Sequence, residues 1–485
     1  MTLPAPLRSF ARCVSTVSAV ALACSAPGFA QDDPLNDPPG PPPDEPVGDP
    51  PDPGAGIGPR PDGDVPRFAV LGGSIVFSGS DDNGFEPWTS NGTGEGTRML
   101  LNIATQGSSN PGEFTTLGGA VYFAAERDLD GRELWRTDGS TAGTKLVADL
   151  NPGSEPSNPS ELTVLGDLLL FVAEDADHGR ELWVFDGGAA RLLADLRPGP
   201  DSSAPEELTR SGSAVYFSAQ DGQRGRELWR TDGTVDGTSL VADVQAGAGS
   251  ADPYGITAFG WGVFFVADDG SSGYELWRSD GSPDGTERVI DLVQGATGGE
   301  PDQLTVAGGV LYFSADDGQH GRELWSSDGS GAGTQMVRDL FPGAESGDPL
   351  ELVAFAGGLA FSAEHGELGR ELWRSNGTEA GTWAYDIQAG AGGSEPSQLA
   401  AWGDSLYLAA DDGLSGNELW RDDGRGPYRL RDLVPGPRGS NPLNMTPLRG
   451  QLLFAADYRE SDAGTILWST DGTPAWTVPL HRVRL

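Results

Sequence analysis

The stretch GRELWRTDGS at residues 131–140 recurs along the chain with small changes. Its tryptophan appears nine times, at intervals of 46 to 48 residues. So steady a period indicates one supersecondary unit that is repeated and packs against its own neighbours. The nine tryptophans are Trp88, Trp135, Trp183, Trp229, Trp277, Trp325, Trp373, Trp420 and Trp468.

Each repeat has the pattern of four short strands. Around Trp183, apolar and β-branched runs occupy residues 162–164, 168–174, 180–185 and 190–196, and turns rich in Gly and Asp separate them. This pattern is typical of antiparallel hairpins, and no helical period is sustained in the repeats. A longer turn-rich connection, such as RPGPDSSAP at residues 197–205, then leads to the next repeat.

Three hairpins and one longer return in every repeat predict an all-β protein. We expect a single β-propeller of about nine four-stranded blades over residues 67–485. Propellers usually have roughly four to eight blades, so eight closed blades with one extra repeat is the alternative. The sequence favours nine, because no spacing breaks and both ends of the region look like complete strands.

The repeated phrase resembles the ELWxxDGT repeat of exported bacterial proteins, and the resemblance covers about 86% of the chain. It departs at the ends, where the first copy reads Glu86-Pro87-Trp88 and the last reads Ile466-Leu467-Trp468. The resemblance implies an extracellular repeat protein and brings no activity or catalytic residue with it. The structural motif residues are Glu133, Trp135, Asp138, Gly139, Glu181, Trp183, Glu227, Trp229, Asp232, Gly233, Glu275, Trp277, Asp280, Gly281, Glu323, Trp325, Asp328, Gly329, Glu371, Trp373, Glu418, Trp420 and Trp468.

These motif residues are expected to hold the blades together rather than to react. The tryptophan should fill the space between neighbouring blades, and the Asp–Gly pair should form a turn whose glycine needs a positive φ. The glutamate, present in eight copies of nine, should accept hydrogen bonds from a loop or from an arginine of the neighbouring repeat. A catalytic site is needed only once, so a carboxylate in nearly every repeat indicates a structural role.

Two further sets of polar residues recur. Acidic loops such as DDGQHG at residues 316–321 are either ordinary turns or weak Ca²⁺ sites. Each is too short to surround that ion, which takes about six to eight oxygen ligands. The sequence therefore predicts no cofactor, with weak Ca²⁺ binding as the alternative. Arginines that precede the motif glutamate either pair with glutamates, the favoured interpretation, or line an anion-binding ring: Arg132, Arg180, Arg226, Arg322 and Arg370.

The amino-terminal region predicts export, to the extracellular space, the periplasm or the outer surface of the cell. Residues 1–30 carry Arg8 and Arg12, an apolar run too short to span a bilayer, and a small-residue cleavage site at 28–30. The alternative is a lipoprotein signal that anchors the protein through acylated Cys24. Residues 31–66 are rich in Pro, Gly and Asp and predict a disordered linker. The repeat region contains no cysteine, so no disulfide stabilises it.

The charge limits the partners. The formal net charge is -41, and cleavage after Ala30 would remove two arginines and make it -43. Such a field repels phosphate backbones, so no nucleic-acid partner is expected. We expect an unknown protein or glycan partner, no transmembrane segment in the mature chain, and a monomer.

The sequence favours a non-catalytic exported scaffold that serves in binding or adhesion, at the cell surface or outside the cell. The alternative is an enzyme with a single central-channel site that acts on glycans as a hydrolase or lyase. Four aromatic residues stand outside the repeat pattern and either stack on sugars or add to the packing: Trp261, Trp383, Tyr385 and Trp402.

Overall fold

The computed structural model describes residues 68–458 and 464–485. The predicted export signal, the linker and residue 67 at the start of the repeat region lie outside the described residues. In the described parts the chain forms strands β1 to β36 and three short 3-10 turns.

The strands group in fours, in chain order, into nine antiparallel blades. Blades 1 to 3 are β1–β4 (Phe68–Leu71, Ser74–Asp81, Gly84–Ser90, Arg98–Met99), β5–β8 (Gly112–Leu117, Ala120–Arg127, Gly131–Thr137, Lys145–Ala148) and β9–β12 (Ser160–Leu165, Leu168–Asp175, Gly179–Phe185, Ala190–Ala194). Blades 4 to 6 are β13–β16 (Glu206–Ser211, Ala214–Gln220, Arg226–Thr231, Ser239–Ala242), β17–β20 (Tyr254–Phe259, Gly262–Asp268, Tyr274–Ser279, Thr286–Arg288) and β21–β24 (Asp302–Ala307, Val310–Asp316, Arg322–Ser327, Gln335–Arg338).

Blades 7 to 9 are β25–β28 (Leu350–Phe355, Gly358–Ala363, Glu371–Ser375, Thr382–Tyr385), β29–β32 (Ser397–Trp402, Ser405–Asp411, Asn417–Asp422, Pro427–Arg431) and β33–β36 (Leu443–Leu448, Gln451–Asp457, Thr465–Thr470, Val478–Arg484). The 3-10 turns are Gly331–Gly333, Glu379–Gly381 and Pro474–Trp476. The predicted all-β propeller with nine blades is therefore confirmed, and the four strands predicted around Trp183 match β9 to β12 closely.

Each blade begins with an inner first strand and ends with an outer fourth strand. A connection then links this outer strand to the inner strand of the next blade. This order sends the connections and the loops between second and third strands to one side of the ring, the connection face. The hairpins between first and second strands and between third and fourth strands lie on the opposite side, the hairpin face. Described loops of the same type therefore lie on the same face of the ring in successive blades.

The ring is closed by the last strand. β36 of blade 9 also pairs with β2 of blade 1, where the backbone at Arg484 lies opposite Ser80. In other blades a connection residue occupies this place; for example, the N–H of Glu126 in β6 donates to the carbonyl of Ser109 in the connection. The end of β36 thus makes toward blade 1 the backbone contact that a connection makes elsewhere.

The apolar core lies between blades. Each of nine clusters of buried side chains combines residues of two neighbouring blades. In the cluster between blades 3 and 4, Trp229 of β15 packs with Leu170 and Val184 of blade 3. The cluster between blades 9 and 1 joins Phe77 and Trp88 to Leu453, so apolar packing also closes the ring. Burying a Trp ring removes about 150–250 Å² from water, so these contacts dominate the interfaces.

Candidate functional site

The motif glutamate fastens the connection that follows its blade. Glu133 is fully buried; its Oε1 accepts the N–H of Ser157 at 2.8 Å. Its Oε2 accepts the N–H of Leu150 at 3.0 Å and the hydroxyl of Ser157 at 2.6 Å. Leu150 and Ser157 both belong to the connection between β8 and β9. The sequence left two possible donors to this glutamate, a loop or an arginine of the neighbouring repeat, and the structure shows the loop. We name this arrangement the connection clamp, and its glutamates are Glu86, Glu133, Glu181, Glu227, Glu275, Glu323, Glu371 and Glu418.

Blade 9 has isoleucine at the clamp position. Its strand β36 continues as a ladder partner of β35, with Ile466 opposite Arg484, and the N–H of Leu485 donates to the carbonyl of Thr465. The equivalent carbonyls of Phe85 and Arg132 also accept connection amides in blades 1 and 2, so this backbone hydrogen bond is common to clamped blades and blade 9. In the described residues, the end of β36 takes the place in blade 9 that a connection has in the other blades.

The clamps differ in one donor. In five blades a serine hydroxyl donates to the carboxylate at 2.5 to 2.7 Å, from Ser109, Ser157, Ser203, Ser394 and Ser440. Blades 4, 5 and 6 have Ala251, Gly299 and Gly347 instead, which offer only an amide.

Burial raises the pKa of every clamp glutamate. Where the serine is missing, burial raises the pKa of Glu227, Glu275 and Glu323 to about 7. A hydroxyl donor stabilises the ionised carboxylate. Without it, less of the free-energy cost of burying the charge is compensated. In blade 5 the Oε2 of Glu275 has no hydrogen-bond partner among the described residues.

The motif tryptophans lie where neighbouring blades meet, and most also donate a hydrogen bond within their own blade. Nε1 of Trp229 donates to the carbonyl of Ala219 at 3.1 Å, and Nε1 of Trp373 does the same to Ala363 at 3.1 Å. Trp277 is half-buried, whereas the other motif tryptophans are buried. None of the nine forms an exposed platform in the described structure.

The motif Asp–Gly pair builds the turn on the hairpin face. Oδ1 of Asp138 accepts the N–H of Ser140 at 2.9 Å and its hydroxyl at 2.6 Å, and Gly139 has a φ of 84°. These hydrogen bonds lower the pKa of Asp138. At the equivalent Gly281, an added Cβ would lie 2.4 Å from the hydroxyl oxygen of Tyr216 in the preceding blade. Both the φ angle and the close approach therefore require glycine.

The recurrent arginines mainly bind backbone carbonyls. Nη1 of Arg132 donates to the carbonyl of Asn110 at 2.6 Å, and Arg322 and Arg370 donate to the equivalent carbonyls of Glu300 and Asp348. Pairing with glutamate is present but longer, as between Arg322 and Glu300 at 3.7 Å. The arginines thus hold the start of the inner strand of their own blade.

A ring of polar residues around the central axis has no counterpart among the residues singled out from sequence. At the second position of the inner strand the backbone is left-handed, with φ of 61° at Glu113 and 57° at Glu161. Oε2 of Glu113 accepts the N–H of Glu161 at 3.0 Å, and Oε2 of Glu161 accepts the N–H of Leu208 at 3.1 Å. Oε2 of Glu351 accepts the N–H of Leu399 at 3.2 Å in the same way. These carboxylates link successive inner strands.

The acidic loops on the connection face are folded around their own acids. Oδ1 of Asp316 accepts the N–H of Gly318 at 2.7 Å, and Oδ1 of Asp317 accepts the N–H of Gln319 at 2.8 Å. Asp317 also contacts Nδ1 of His320 at 2.8 Å, which raises the pKa of that histidine. In the part of the chain that the structure describes, no group of three or more His, Cys, Asp or Glu side chains is arranged to hold a metal ion.

The four unusual aromatics have different surroundings. Trp261 is 39% exposed and packs against Phe259 and Phe264. Trp402 is half-buried against Tyr407. Trp383 and Tyr385, two residues apart on β28, are the only two of the four that the described structure brings together, and Trp383 is 46% exposed.

Tyr385 lies in an open groove of about 760 Å³ between the outer parts of blades 7 and 8. We name it the blade 7–8 groove. It is lined by Tyr385, Asp386, Ile387, Trp420, Asp423, Arg425, Gly426, Pro427 and Tyr428.

A shortened hairpin in blade 8 opens the groove. Trp420 of β31 pairs with Arg429, nine residues on, whereas Trp135 of β7 pairs with Leu146, eleven residues on. The shorter hairpin turns at Gly426, whose φ is 108°, and an added Cβ there would lie 3.5 Å from the ring of Tyr385. Glycine therefore lets the loop approach Tyr385 without covering it. Blade 3 has the same short spacing, with Phe185 at the position of Asp422, and the Phe185 ring packs 5.4 Å from the ring of Tyr122.

An ion pair lies beneath the groove. Asp422 is fully buried, where most other blades have serine or threonine, and its Oδ2 lies 3.1 Å from Nη1 of Arg374 in blade 7. Oδ1 of Asp422 accepts the N–H groups of Gly424 at 2.8 Å and Gly426 at 3.1 Å, which fixes the turn. Burial, together with the charge of Asp422, raises the pKa of Tyr385. Residue-by-residue alignment of the repeats would have shown both the missing residues and this aspartate.

No family model matches the chain, and no curated protein matches it. Solved structures with a similar arrangement include the computationally designed protein Ika8, with 16% identity, a TM-score of 0.42, and coverage of 76% of this chain and 99% of that one. Prolyl endopeptidases align at 11% identity and a TM-score of 0.41, over 74% of this chain and 54% of theirs. The β-propeller domain of the Trilobed protease from Pyrococcus furiosus aligns at 12% identity and a TM-score of 0.34, over 64% of this chain and 95% of that domain.

These similarities concern the fold alone. This chain spans only about half the length of the prolyl endopeptidases that it matches. Among the described residues no helix is long and apolar enough to cross a membrane.

Proposed function

We propose that the protein is an exported, non-catalytic binding scaffold and that the blade 7–8 groove is its ligand site. The observation that carries this proposal is a contrast between the repeated and the exceptional residues. In the repeats, carboxylates such as Glu133 and Glu161 accept amides of the protein itself. In the groove, Arg425 and Asp386 are exposed, and their side chains make no hydrogen bond to any described residue.

The alternative function, a glycan hydrolase or lyase at the central channel, has less support. Most glycosidases use two carboxyl groups that flank the scissile bond and are free to transfer protons or to attack. Around the axis, Glu113, Glu161 and Glu351 each accept an amide of the next inner strand. Moving one of them into catalysis would remove a link between blades.

Export is part of the proposal and rests on the amino-terminal sequence. Cleavage after Ala30 would yield a chain beginning at Gln31, with the linker between that end and the ring. The intact mass of the protein recovered from the culture medium or the cell surface tests this. An intact mass that matches a chain beginning at Gln31 supports a freely exported protein. A diacylglycerol adduct on Cys24 would establish the lipoprotein alternative.

The binding function is tested by comparing the full chain with a groove variant, Asp386→Arg. Asp386 is exposed, so the variant should fold normally while the charge of the groove changes. Both proteins are applied to a glycan array and to immobilised candidate proteins, and bound ligands are then incubated with the wild type and examined by mass spectrometry. We expect ligands that the wild type retains and the variant does not, all recovered intact. Conversion of a ligand into products would support the enzyme instead.

A further inference from the structure

We propose that the blade 7–8 groove binds a neutral saccharide, with a sugar ring laid against Tyr385 and sugar hydroxyls hydrogen-bonded to Asp386, Asp423 and Arg425. This inference rests on the proposed binding function and adds the chemical class of the ligand. Three properties of the groove support it: its aromatic wall, its polar groups and its size.

The aromatic wall is accessible from one side. Tyr385 is half-buried and lines the groove, whereas Trp383, two residues earlier on β28 and 46% exposed, lies outside the lining. Gly426 contributes no side chain that could cover the tyrosine ring. A sugar ring has a face of C–H groups that can lie flat on such a surface, and aromatic side chains lose little conformational entropy when they bind. On the opposite bank, Tyr428 is 38% exposed.

The polar groups of the groove suit hydroxyls. The side chains of Asp386 and Arg425 make no hydrogen bond to a described residue, whereas Oδ1 of Asp423 accepts the N–H of Arg425 at 3.3 Å. The carboxylates of Asp386 and Asp423 can accept hydrogen bonds from a ligand, and the guanidinium of Arg425 can donate them. Hydroxyl groups both donate and accept, so one sugar can satisfy all three side chains. The two acidic groups outnumber the single basic one, and the whole chain carries a formal charge of -41. Phosphorylated or uronic-acid ligands would be repelled, which favours a neutral ligand.

The size of the groove favours a small ligand over a protein surface. Its volume of about 760 Å³ falls in the range of about 300–1,000 Å³ typical of small-ligand sites. A stable protein interface buries about 800 Å² on each partner and involves roughly 20–30 residues a side. Nine residues line the groove. This is enough for one or a few sugar units and too little for a stable protein interface.

The experiment is isothermal titration of the full chain with cello-, xylo-, manno-, malto- and chito-oligosaccharides. A galacturonate oligosaccharide serves as the anionic probe and a lysine-rich peptide as the cationic one. The variants are Tyr385→Ala, Asp423→Asn and Arg425→Ala. Arg425 is exposed on a loop, so its variant keeps the test valid if Tyr385→Ala is unstable. Trp261→Ala, an exposed aromatic in blade 5, is the matched control.

We expect at least one neutral oligosaccharide to bind with a Kd near or below about 1 mM. Arg425→Ala and Asp423→Asn should each weaken that binding about tenfold, and Trp261→Ala should leave it unchanged. Absence of binding by every neutral oligosaccharide overturns the assignment, as does saccharide binding that these variants leave intact. If only the cationic peptide binds and Asp423→Asn abolishes it, the ligand class is wrong and the groove remains a binding site. If the groove variants affect no probe and no ligand of the array, the proposed function fails as well.

Discussion

Nη1 of Arg374 in blade 7 lies 3.1 Å from Oδ2 of Asp422 in blade 8, and the aspartate is fully buried. The guanidinium also lies 4.3 Å from the centre of the Phe355 ring. Elsewhere the arginine at this position donates to a backbone carbonyl of the next blade, as Arg230 does to Gly281 at 3.0 Å. The pair is thus an ionic variation on a repeated hydrogen bond, and it supports the turn that shapes the groove.

The two halves of this pair should differ in their effect on stability. Arg374→Met leaves a buried carboxylate without its cation and should lower the unfolding free energy by about 3–5 kcal/mol. Asp422→Thr restores the residue that blade 4 has at Thr231, and Arg374 could then donate to the carbonyl of Gly424, as Arg230 does to Gly281. We expect Asp422→Thr to lower the unfolding free energy, measured by denaturant unfolding, by less than half as much as Arg374→Met does. Equal losses would show that Arg374 has no alternative acceptor.

The connection clamp offers a paired test of one hydroxyl. Ala251→Ser in blade 4 should place a donor near Glu227, as Ser157 does for Glu133 at 2.6 Å. Because the hydroxyl favours the ionised carboxylate, the pKa of Glu227 should fall from about 7. The unfolding free energy at about pH 8 should rise by about 1 kcal/mol. The converse variant, Ser157→Ala in blade 2, should raise the pKa of Glu133 and destabilise by about 1–3 kcal/mol.

Carboxyl resonances of labelled glutamate, followed by NMR through a pH titration, measure both shifts. Ser213→Ala, on a hairpin away from any clamp, serves as the control. A serine at residue 251 that leaves the titration of Glu227 unchanged would contradict the role of the hydroxyl. Gly299 and Gly347 are less suitable, because an added Cβ would lie 2.6 Å and 2.7 Å from the Cβ atoms of Leu292 and Leu340.

The stability of the ring should decrease from mildly acidic to neutral pH. Burial raises the pKa of Glu227, Glu275 and Glu323 from 4.5 to about 7, so between these values the folded chain binds more protons than the unfolded chain. Their contribution is fully present below pH 4.5 and is lost as the pH rises through about 7. The nearby Asp243, Asp291 and Asp339 act in the same direction by repelling the charged form.

Denaturant unfolding at a series of pH values from about 5 to 8 measures this dependence. The triple variant Glu227→Gln, Glu275→Gln and Glu323→Gln cannot ionise at these positions. Its unfolding free energy should therefore change less with pH than that of the wild type. Parallel curves for the two proteins would show that these glutamates do not titrate in this range.

The fold could be predicted because its signal is periodic. Trp229 and its counterparts recur at 46 to 48 residues, and glycines such as Gly139, with a φ of 84°, mark the turns. Apolar side chains pack in every interface, so the same residue types return in every repeat. Strand positions and blade number follow from such local patterns.

The connection clamp and the ring of polar residues around the central axis were harder to predict. Glu133 accepts amides of Leu150 and Ser157, 17 and 24 residues away. Any residue other than proline can supply a backbone amide. The residues that donate to the glutamate therefore show no recurring side-chain type, apart from the serine. Glu113 adopts a φ of 61°, a conformation that glutamate seldom takes, and only its contact with the next blade explains it. The groove combines a short hairpin, shared only with blade 3 among the described blades, with the aspartate at residue 422, and averaging over the repeats conceals both.

The tryptophan of the motif should contribute to stability rather than to binding. Trp229 is 8% exposed, packs between blades 3 and 4, and donates to Ala219 at 3.1 Å. Trp229→Ala should lower the unfolding free energy by about 3–5 kcal/mol, as large-to-small changes of buried aromatics do. Trp261 is 39% exposed, so Trp261→Ala should lower the unfolding free energy by less than half as much as Trp229→Ala. An unchanged melting temperature for Trp229→Ala would mean that its ring is accessible to a ligand.

Cations should stabilise the ring by screening rather than by occupying a Ca²⁺ site. A chain with a formal charge of -41 repels itself, and added salt weakens that repulsion. Asp316 and Asp317 accept hydrogen bonds from their own loop at 2.7 and 2.8 Å, and that loop supplies fewer oxygens than Ca²⁺ prefers. Melting in calcium, magnesium and sodium chlorides at matched ionic strength should therefore give similar shifts. A specific site would instead add about 2.7 kcal/mol at a hundredfold excess of calcium over its Kd. A large shift seen with calcium alone, and abolished by Asp316→Asn with Asp317→Asn, would make these loops binding sites.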